Sequence, residues 1–315
     1  MSAAETSAEA DADRDPLEQL EAGPIFICGH IRSGTTWVLD LLAAHPQVAG
    51  LFESLIFTGN GVAQLLHPRH WDFETSERMF DRRMGLGQII PREELVADVR
   101  RLCDEWFAEP LEPHHRFLVE KTPAGAQALE TVAELYPDAT VIHVMRDGRD
   151  VAISTLAARR SWQRNEKLQN SPRDGSRHLW AVGLGWANHI ADINRHALKL
   201  SVAFHEVRYE QMHEKPLETA RAIFRFCGIP ADDELISELL DQVHFSKLPH
   251  SGEDQFRRHG QTGEWRTQWN HLERLLFSAA AGETLEVTGY APAMIPQAEW
   301  LRARMMQWEK LKRFM

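Results

Sequence analysis

The sequence predicts an α/β fold in three layers, with a mostly parallel central sheet between helices, and three observations support this. Short apolar runs such as PIFICGH and ATVIHVM have the composition of strands that are buried on both faces. Each run is followed by a stretch in which apolar residues recur at helical spacing. Strand and helix alternate in this way four times, which is the pattern of parallel strands joined by crossover helices.

The four units follow one another along the chain. The first begins at Gly23: PIFICGH predicts a strand, and SGTTWVLDLLAAHP predicts a helix that Pro46 ends. In the second, RFLVEKTPAGAQALETVAELYP, the letters FLVE predict a strand, and Pro123 lies where a helix begins. The third is ATVIHVMRDGRDVAISTLAAR, and the fourth is SVAFHEVRYEQM followed by the helical PLETARAIFRFCGIP. These units predict four strands of a mostly parallel sheet.

A long insertion, Ser54 to Arg116, separates the first two units and contains the amphipathic stretch ELVADVRRLCDEWF. It is too long for a bare loop inside a compact domain. Helices inserted here are expected to cap the carboxyl ends of the strands, where ligands bind in open α/β sheets.

The remaining segments lie at the two ends of the chain. Residues 1–22 have the charge and low hydrophobicity of a disordered acidic tail, so we assign residues 23–315 to one domain. The final QAEWLRARMMQWEKLKRF predicts an amphipathic helix. Two interpretations of that helix stay open: it docks on the core, or it is an interface in a homo-oligomer.

Composition excludes several classes of function. The 315 residues carry a formal net charge of -11, whereas an extended nucleic-acid footprint needs a basic face. No apolar run reaches the length of a membrane span, and the acidic start differs from a signal peptide. The three cysteines, Cys28, Cys103 and Cys227, have no metal-ligand spacing and are expected to be reduced. We therefore expect a soluble, cytoplasmic protein.

The stretch FICGHIRSGTTW joins the first strand to its helix and predicts a P-loop-like anion site. A glycine turn before a helix exposes backbone N–H groups and the positive end of the helix dipole, which hold an anion without a metal. Gly29 and Gly34 have the separation of a nucleotide-kinase loop. However, Thr35 replaces the lysine that such a kinase needs, and Arg32 supplies a cation two residues before the second glycine.

The segment GHIRSGTTW resembles the 5'-phosphosulfate loop of the sulfotransferases that use 3'-phosphoadenosine 5'-phosphosulfate (PAPS), in which a basic residue precedes Ser-Gly-Thr-Thr. The resemblance implies that this loop holds the phosphosulfate and that an aromatic ring stacks on the adenine. The residues concerned are Arg32, Ser33, Gly34, Thr35, Thr36 and, for the ring, Trp37.

Three further segments resemble the same family. VIHVMRDGRDVAIS is similar to its 3'-phosphate segment, which implies that Arg146 and Ser154 bind that phosphate, although a surface ion pair is the alternative for such a charged turn. VRYEQM is similar to the segment that places Tyr209 near the adenine. RRHGQTGEWRTQW is similar to the C-terminal segment that closes over the 3'-phosphate, with Glu264 and Arg266 replacing the commoner Asp and Lys. The matching positions there are Arg258, Gly260, Gly263, Trp265 and Arg266.

The resemblance also implies catalytic residues. Arg32 and Lys121 are candidates for the cations at the bridging oxygen and the sulfonate, and the Lys-Thr-Pro of EKTP occurs in tyrosylprotein and many bacterial sulfotransferases. The histidine base of the cytosolic branch has no counterpart, because its position is Pro123. In the tyrosylprotein branch the base is a glutamate eight residues after the His of a His-Pro pair, and counting from His45 gives Glu53. The alternative role for Glu53 is a structural partner of Arg32.

The expected activity is transfer of a sulfuryl group from PAPS to a hydroxyl, or alternatively an amine, on a small molecule, sugar or lipid. Adenosine 3',5'-bisphosphate (PAP) is released, and no metal is required. Two alternatives stay open: a P-loop kinase, and a nucleotide-binding protein without turnover. His30 has no assigned role, and the other histidines lack zinc-ligand spacing and are expected to be scattered over surface and core.

Overall fold

A five-stranded parallel sheet forms the centre of the molecule. The computed structural model describes residues 16–58, 61–66, 89–163, 175–197, 200–243, 262–290 and 302. Within these residues the strands are β1 (Ile25–Gly29), β2 (Val48–Phe52), β3 (Phe117–Lys121), β4 (Thr140–Met145) and β5 (Ala203–Arg208). Their order is β2-β3-β1-β4-β5, so β1 lies at the centre of the sheet. The predicted α/β class with a parallel sheet is confirmed.

Among the described strands, β2 is the one that the sequence did not predict. Its residues, VAGLF, are too few and too interrupted by Gly50 to give a clear apolar run, and its second half is partly exposed because β2 is an edge strand. It pairs in parallel with β3, from Val48 opposite Phe117 to Phe52 opposite Lys121. The end of β2 therefore lies beside the end of β3.

The helices connect the strands and cover the sheet. Before β4 they are α1 (Thr35–Ala43), α2 (Ala63–Leu66), α3 (Arg92–Ala108), a 3-10 helix (Pro123–Ala128) and α4 (Leu129–Leu135). After β4 they are α5 (Gly148–Gln163), α6 (Gly175–Ala197), α7 (Tyr209–Glu214), α8 (Pro216–Phe226), α9 (Asp233–Gln242), α10 (Trp265–Gln268) and α11 (His271–Val287).

The core has two faces because successive strand residues point to opposite sides of the sheet. Ile25 and Ile27 of β1 pack with helices α1, α8 and α9, whereas Phe26 and Cys28 pack with α3, the 3-10 helix and α4. Helices α5, α6 and α11 share a third apolar cluster around Trp186. The predicted three-layer arrangement follows from these clusters.

An aromatic group ties the start of the insertion to the sheet. The rings of Phe26 and Phe57 meet edge to face at 5.2 Å, and Phe107 and Tyr136 pack against both. The Tyr136 hydroxyl donates a hydrogen bond to the buried Asp104 carboxylate at 2.8 Å. Of the insertion predicted to form the acceptor cap, Ser54 to Arg116, residues 59, 60 and 67–88 lie outside the described part of the chain, and its amphipathic stretch forms α3, which packs in the core with Phe26.

Other predictions concern the chain ends and the cysteines. The acidic tail lies outside the described residues except for its last part, and so does the C-terminal helix except for Arg302. None of the described helices is long and apolar enough to span a membrane. Cys28, Cys103 and Cys227 are buried free thiols, and burial raises the pKa of each to about 12.

Candidate active site

All five strands direct a candidate residue to the same edge of the sheet. Because the strands are parallel, their carboxyl ends lie side by side. The predicted site residues at these ends are Arg32 after β1, Glu53 after β2, Lys121 at the end of β3, Arg146 after β4 and Tyr209 after β5. The topology therefore gathers into one site residues that are up to 177 positions apart, from Arg32 to Tyr209 (209 minus 32).

The loop after β1 has a geometry that requires glycine. Gly34 has φ 98°, and a Cβ placed there would lie 2.4 Å from Cδ2 of Tyr209. The N–H groups of Thr35 and Thr36 begin helix α1 and therefore have no acceptor within it. No acidic residue occupies the first turn of α1. The loop thus presents N–H groups and the positive end of a helix dipole, as an anion site requires.

Ser33 adds a hydroxyl to this loop. Its side chain is buried, and its Oγ has no hydrogen-bond partner among the described residues. Buried hydroxyls are almost always hydrogen-bonded, so this one indicates a missing acceptor. A phosphate or sulfonate oxygen in the loop would satisfy it.

The two predicted phosphate segments contact each other. The Arg32 Nε donates to Oγ of Ser154 at 3.1 Å, and the Arg146 Nη1 donates to the backbone oxygen of Arg32 at 3.1 Å. The Arg146 guanidinium also lies 4.2 Å from the ring centre of Tyr209. Since Arg32 has φ 70°, a left-handed conformation, these contacts help to hold a strained residue. Ser154 thus contacts the cation expected at the sulfonate.

The start of α5 is fixed by its neighbours. The Trp186 Nε1 donates to the backbone oxygen of Arg146 at 3.1 Å, and a Cβ on Gly148 would lie 2.5 Å from Cδ2 of Trp186. The backbone N–H of Asp147 donates to Oε1 of Glu210 at 2.9 Å. Arg146 is therefore held from both sides at the end of β4.

Lys121 and Glu53 form an ion pair at the ends of β3 and β2. The Lys121 Nζ lies 2.7 Å from Oε1 of Glu53 and 3.6 Å from the ring centre of Phe52. The Lys121 side chain is fully buried, whereas Glu53 is 38% exposed. Burial lowers the pKa of Lys121, and the Glu53 carboxylate is the chief group that opposes this. The partner observed for the Glu53 carboxylate is Lys121.

Backbone strain is concentrated at this site. Among the described residues, the non-glycine residues with positive φ are Arg32, Glu53 and Leu55. Such conformations cost about 1–3 kcal/mol each and persist only where the surroundings impose them. Their position at the candidate site therefore points to function.

The C-terminal segment docks on the start of α5. Asp150, which is buried, accepts the backbone N–H of Gly263 at 2.6 Å and that of Trp265 at 3.3 Å. The Arg149 guanidinium lies 3.7 Å from the Trp265 ring centre, and the exposed Arg266 lies 4.9 Å from a ring centre of the same side chain. Sequence reasoning missed Asp150 because its partners are more than a hundred residues away. Arg258 and Gly260 lie outside the described residues.

The predicted adenine contacts differ in their surroundings. Trp37 is partly buried and packs against the apolar cluster around α1. Tyr209 is buried beneath the loop, where its ring supports Gly34 and Arg146. Contact of either ring with an adenine stays a prediction.

His30, which had no assigned role, forms a row beside the loop with two of the histidines that were expected to be scattered, His189 and His143. The His30 ring meets the His189 ring edge to face at 5.7 Å, and Nε2 of His189 lies 3.3 Å from Nε2 of His143. Burial, followed by the charges of His143 and His30, holds the pKa of His189 well below its ordinary value. No group of three or more His, Cys, Asp and Glu in the described ranges has metal-binding geometry.

Comparison with known proteins gives a consistent set of similarities. The family model described as "Sulfotransferase family" matches residues 24–233. The chain is 27% identical over 213 residues to the protein-tyrosine sulfotransferase of Drosophila melanogaster, which covers 67% of this chain and 39% of that protein. It is 22% identical over 246 residues to the omega-hydroxy-beta-dihydromenaquinone-9 sulfotransferase Stf3 of Mycobacterium tuberculosis, covering 65% and 63%.

A solved structure is also similar. The crystal structure of mouse sulfotransferase SULT7A1 complexed with PAP aligns with a TM-score of 0.49 at 16% identity, over 87% of this chain and 90% of that one. The chain spans less than two thirds of the two curated relatives described above.

Proposed function

Because the chain belongs to the sulfotransferase family, we propose that it transfers a sulfuryl group from PAPS to an acceptor hydroxyl and releases PAP. The observation that carries this proposal is the ion pair between the buried Lys121 and the partly exposed Glu53 beside an anion loop. An anion site alone would serve a binding protein, but a cation and a carboxylate at its edge supply what group transfer requires.

The donor would be held by the loop and the start of α5. Its 5'-phosphosulfate fits the N–H groups of Thr35 and Thr36, the Arg32 guanidinium and the Ser33 hydroxyl, which has no hydrogen-bond partner within the described ranges. Arg146 and Ser154 are assigned to the 3'-phosphate, because a forked guanidinium and a hydroxyl suit a phosphate.

The transfer step is an in-line displacement. The acceptor oxygen forms a bond to sulfur as the bond between sulfur and the 5'-phosphate oxygen breaks, and the acceptor proton passes to the Glu53 carboxylate. Lys121 and Arg32 stabilise the negative charge that grows on the sulfonate and the leaving oxygen. Glu53 is partly exposed, so it can return the proton to water. No metal is needed in this scheme.

An apolar hydroxyl acceptor agrees with the surface around the ion pair. Ile31 and Leu55, on the loops that carry Arg32 and Glu53, and Phe52, at the end of β2, are exposed large apolar side chains. The names of the two relatives give a protein tyrosine as the acceptor of one and an omega-hydroxy-dihydromenaquinone as the acceptor of the other. These acceptors differ in size. We propose a small-molecule or lipid hydroxyl, with a sugar hydroxyl and an amine as alternatives. A cytoplasmic location is also proposed, in agreement with the free thiols.

The kinase alternative is disfavoured by Asp147, the carboxylate that would bind magnesium at the end of β4. Both of its oxygens accept hydrogen bonds from Arg149, at 2.9 Å from Nε and 2.8 Å from Nη2. A carboxylate whose two oxygens both accept hydrogen bonds from an arginine is not free to bind a metal. Thr35 also replaces the kinase lysine.

Calorimetric titration with PAP, 5'-AMP and Mg-ATP tests the proposal. We expect PAP to bind tightly and 5'-AMP weakly, because Arg146 and Ser154 recognise the 3'-phosphate. Turnover is then measured with labelled PAPS and a panel of phenols, lipid alcohols, sugars and amines. Tighter binding of Mg-ATP would favour the kinase, and PAP binding without turnover on any acceptor would favour a non-catalytic protein.

A further inference from the structure

A second glutamate, Glu120, lies next to Lys121 and has no place in the transfer step. Its side chain is buried at the end of β3. One oxygen, Oε1, accepts three hydrogen bonds: from the Ser54 backbone N–H at 3.2 Å, the Ser54 hydroxyl at 2.7 Å and the Thr122 hydroxyl at 2.6 Å. A buried carboxyl group with this many donors fixes the backbone that carries them.

The backbone so fixed is the strained loop after β2. Glu53 has φ 50° and Leu55 has φ 60°, and Ser54 lies between them. The Ser54 hydroxyl also accepts the N–H of Ile56 at 3.3 Å. Two left-handed non-glycine residues two positions apart are held only if their surroundings impose the conformation. In this loop Oε1 of Glu120 accepts hydrogen bonds from both the backbone N–H and the side-chain hydroxyl of Ser54.

The strained conformation decides where the Glu53 carboxylate lies. The N–H of Glu53 continues the β2–β3 ladder by donating to the oxygen of Lys121 at 2.8 Å. Its side chain then lies against Nζ of Lys121 at 2.7 Å. If the loop relaxed at Ser54, φ of Glu53 would return to the favoured region and its carboxylate would move away from Lys121.

We propose that Glu120 is a positioning residue that clamps Ser54 and thereby holds the Glu53 carboxylate against Lys121. The proposal rests on the proposed function for the roles of Glu53 and Lys121. It assigns to Glu120 no contact with donor or acceptor.

The charge of Glu120 has a second, measurable consequence. Burial lowers the pKa of Lys121, and three carboxylates raise it: Glu53 most, followed by Glu120 and by Asp40 of α1. Lys121 must be protonated to stabilise the sulfonate, so turnover falls as the pH rises through its pKa. Removing the Glu120 charge lowers this pKa, and the alkaline limb of the kcat profile must then move to lower pH.

Two variants separate the clamp from the charge. Glu120→Gln removes the charge and replaces an ionised acceptor by a neutral one. Ser54→Ala removes the 2.7 Å hydrogen bond and leaves the Glu120 charge in place. The matched control is Asp104→Asn, which neutralises another buried carboxylate that binds Tyr136 and Arg100 away from the site.

The first readout is hydrogen exchange of the segment 52–58 in the full chain without ligand. We expect the Ser54 and Ile56 amides to exchange about tenfold faster in Glu120→Gln and Ser54→Ala, since each loses or weakens a hydrogen bond. The control Asp104→Asn should leave this segment unchanged. Equal protection in all four proteins would overturn the clamp.

The second readout is turnover of labelled PAPS with an acceptor from the panel above. Misplacement of a reacting group by about 1 Å costs roughly 100-fold, so we expect kcat to fall between about 10- and 100-fold in both variants, with KM for PAPS little changed. Only Glu120→Gln should shift the alkaline limb. Normal kcat in both variants would overturn the proposal even if exchange increased.

The two proposals fail in different ways. Faster exchange in a protein that does not bind PAP would refute the proposed function and leave the clamp as a purely structural device. PAP-dependent binding and turnover with unchanged exchange and kcat in Glu120→Gln would refute the positioning role alone.

Discussion

The two halves of the candidate site are built on different principles. The nucleotide half, which comprises Arg32, Gly34, Arg146 and Ser154, is interlocked by side-chain and backbone hydrogen bonds before any ligand binds. The transfer half consists of Lys121 and Glu53, which meet in a single ion pair. Donor affinity should therefore depend on many contacts. Transfer should depend chiefly on the Lys121–Glu53 pair, and Arg32 contributes to both, so that variants of the other residues in the two halves separate affinity from turnover.

The largest expected effect is the loss of turnover in Lys121→Met, which keeps the buried volume and removes the charge. Removing one preorganised charge from a transition state costs on the order of 100- to 1000-fold in kcat, and we expect that loss here. PAP affinity should change less than a few-fold, because Lys121 belongs to the transfer half. Labelled-PAPS kinetics and calorimetry measure the two quantities.

Glu53→Ala is the companion to this variant. It should also lose turnover and keep PAP affinity, and because Glu53 is partly exposed, the fold should tolerate its removal. A large loss of PAP affinity in Lys121→Met or Glu53→Ala would show that the transfer half also contributes to nucleotide binding, and the two halves would then not be separate.

Arg146→Ala is expected to have the opposite effect. Hydrogen bonds to a charged group are worth about 1.5–3 kcal/mol, so PAP affinity should fall by roughly 10- to 150-fold. Binding of 5'-AMP, which lacks the 3'-phosphate, should fall much less. Calorimetry on both nucleotides checks this. An Arg146→Ala protein that binds PAP normally would contradict the assignment of the 3'-phosphate.

Gly34→Ala sharpens the comparison by testing how rigid the nucleotide half is. The new Cβ would lie 2.4 Å from the Tyr209 ring in a backbone with φ 98°. We expect the free energy of unfolding to fall by about 2–4 kcal/mol, from strain and overpacking together. Urea titration followed by circular dichroism measures it.

Gly228→Ala is the matched control for Gly34→Ala. Gly228 has φ 69°, also left-handed, but nothing lies within 4 Å of its added Cβ. This variant should cost only about 1 kcal/mol, from the backbone conformation alone. Equal losses of unfolding free energy in Gly34→Ala and Gly228→Ala would mean that the loop backbone shifts to relieve the contact with Tyr209. The nucleotide half would then not be rigid.

The two halves also differ in how far the sequence predicts them. Local features predicted the anion loop, because a glycine turn between a strand and a helix lies within a dozen consecutive residues. Lys121 was predicted from EKTP and from its position at a strand end. In contrast, β2 was missed because an edge strand with Gly50 has no clear apolar run.

Contacts between distant residues were beyond the sequence analysis. Glu120 bonds Ser54 across 66 positions, and Asp150 bonds Gly263 across 113. The residues that neighbour Glu120 and Asp150 in the sequence do not distinguish these carboxylates from solvent-exposed ones. Such partners follow from strand order and helix packing, which one sequence does not specify.

The smallest expected effect concerns the histidine row beside the nucleotide half, and it is a pH effect. The pKa of His189 is lowered on folding by burial and by the nearby His143 and His30, while Glu206 lies 3.5 Å from His143 on the far side. Below an ordinary pKa of about 6.5, His189 binds a proton in the unfolded chain but stays neutral in the folded protein. The contribution of His189 to the free energy of unfolding is therefore fully present above that pH and declines below it.

Between pH 7 and pH 5.5 we expect His189 to account for about 1 kcal/mol of lost unfolding free energy, since one group changes the slope by at most about 1.4 kcal/mol per pH unit. In His189→Asn, the loss of unfolding free energy between pH 7 and pH 5.5 should be smaller by that amount, as measured by urea titrations at both pH values. An unchanged slope would mean that the row accepts a proton in the folded state, which would place positive charge beside the anion loop. PAP affinity would then rise in acid, and the nucleotide half would be tuned by pH as well as held by its hydrogen bonds.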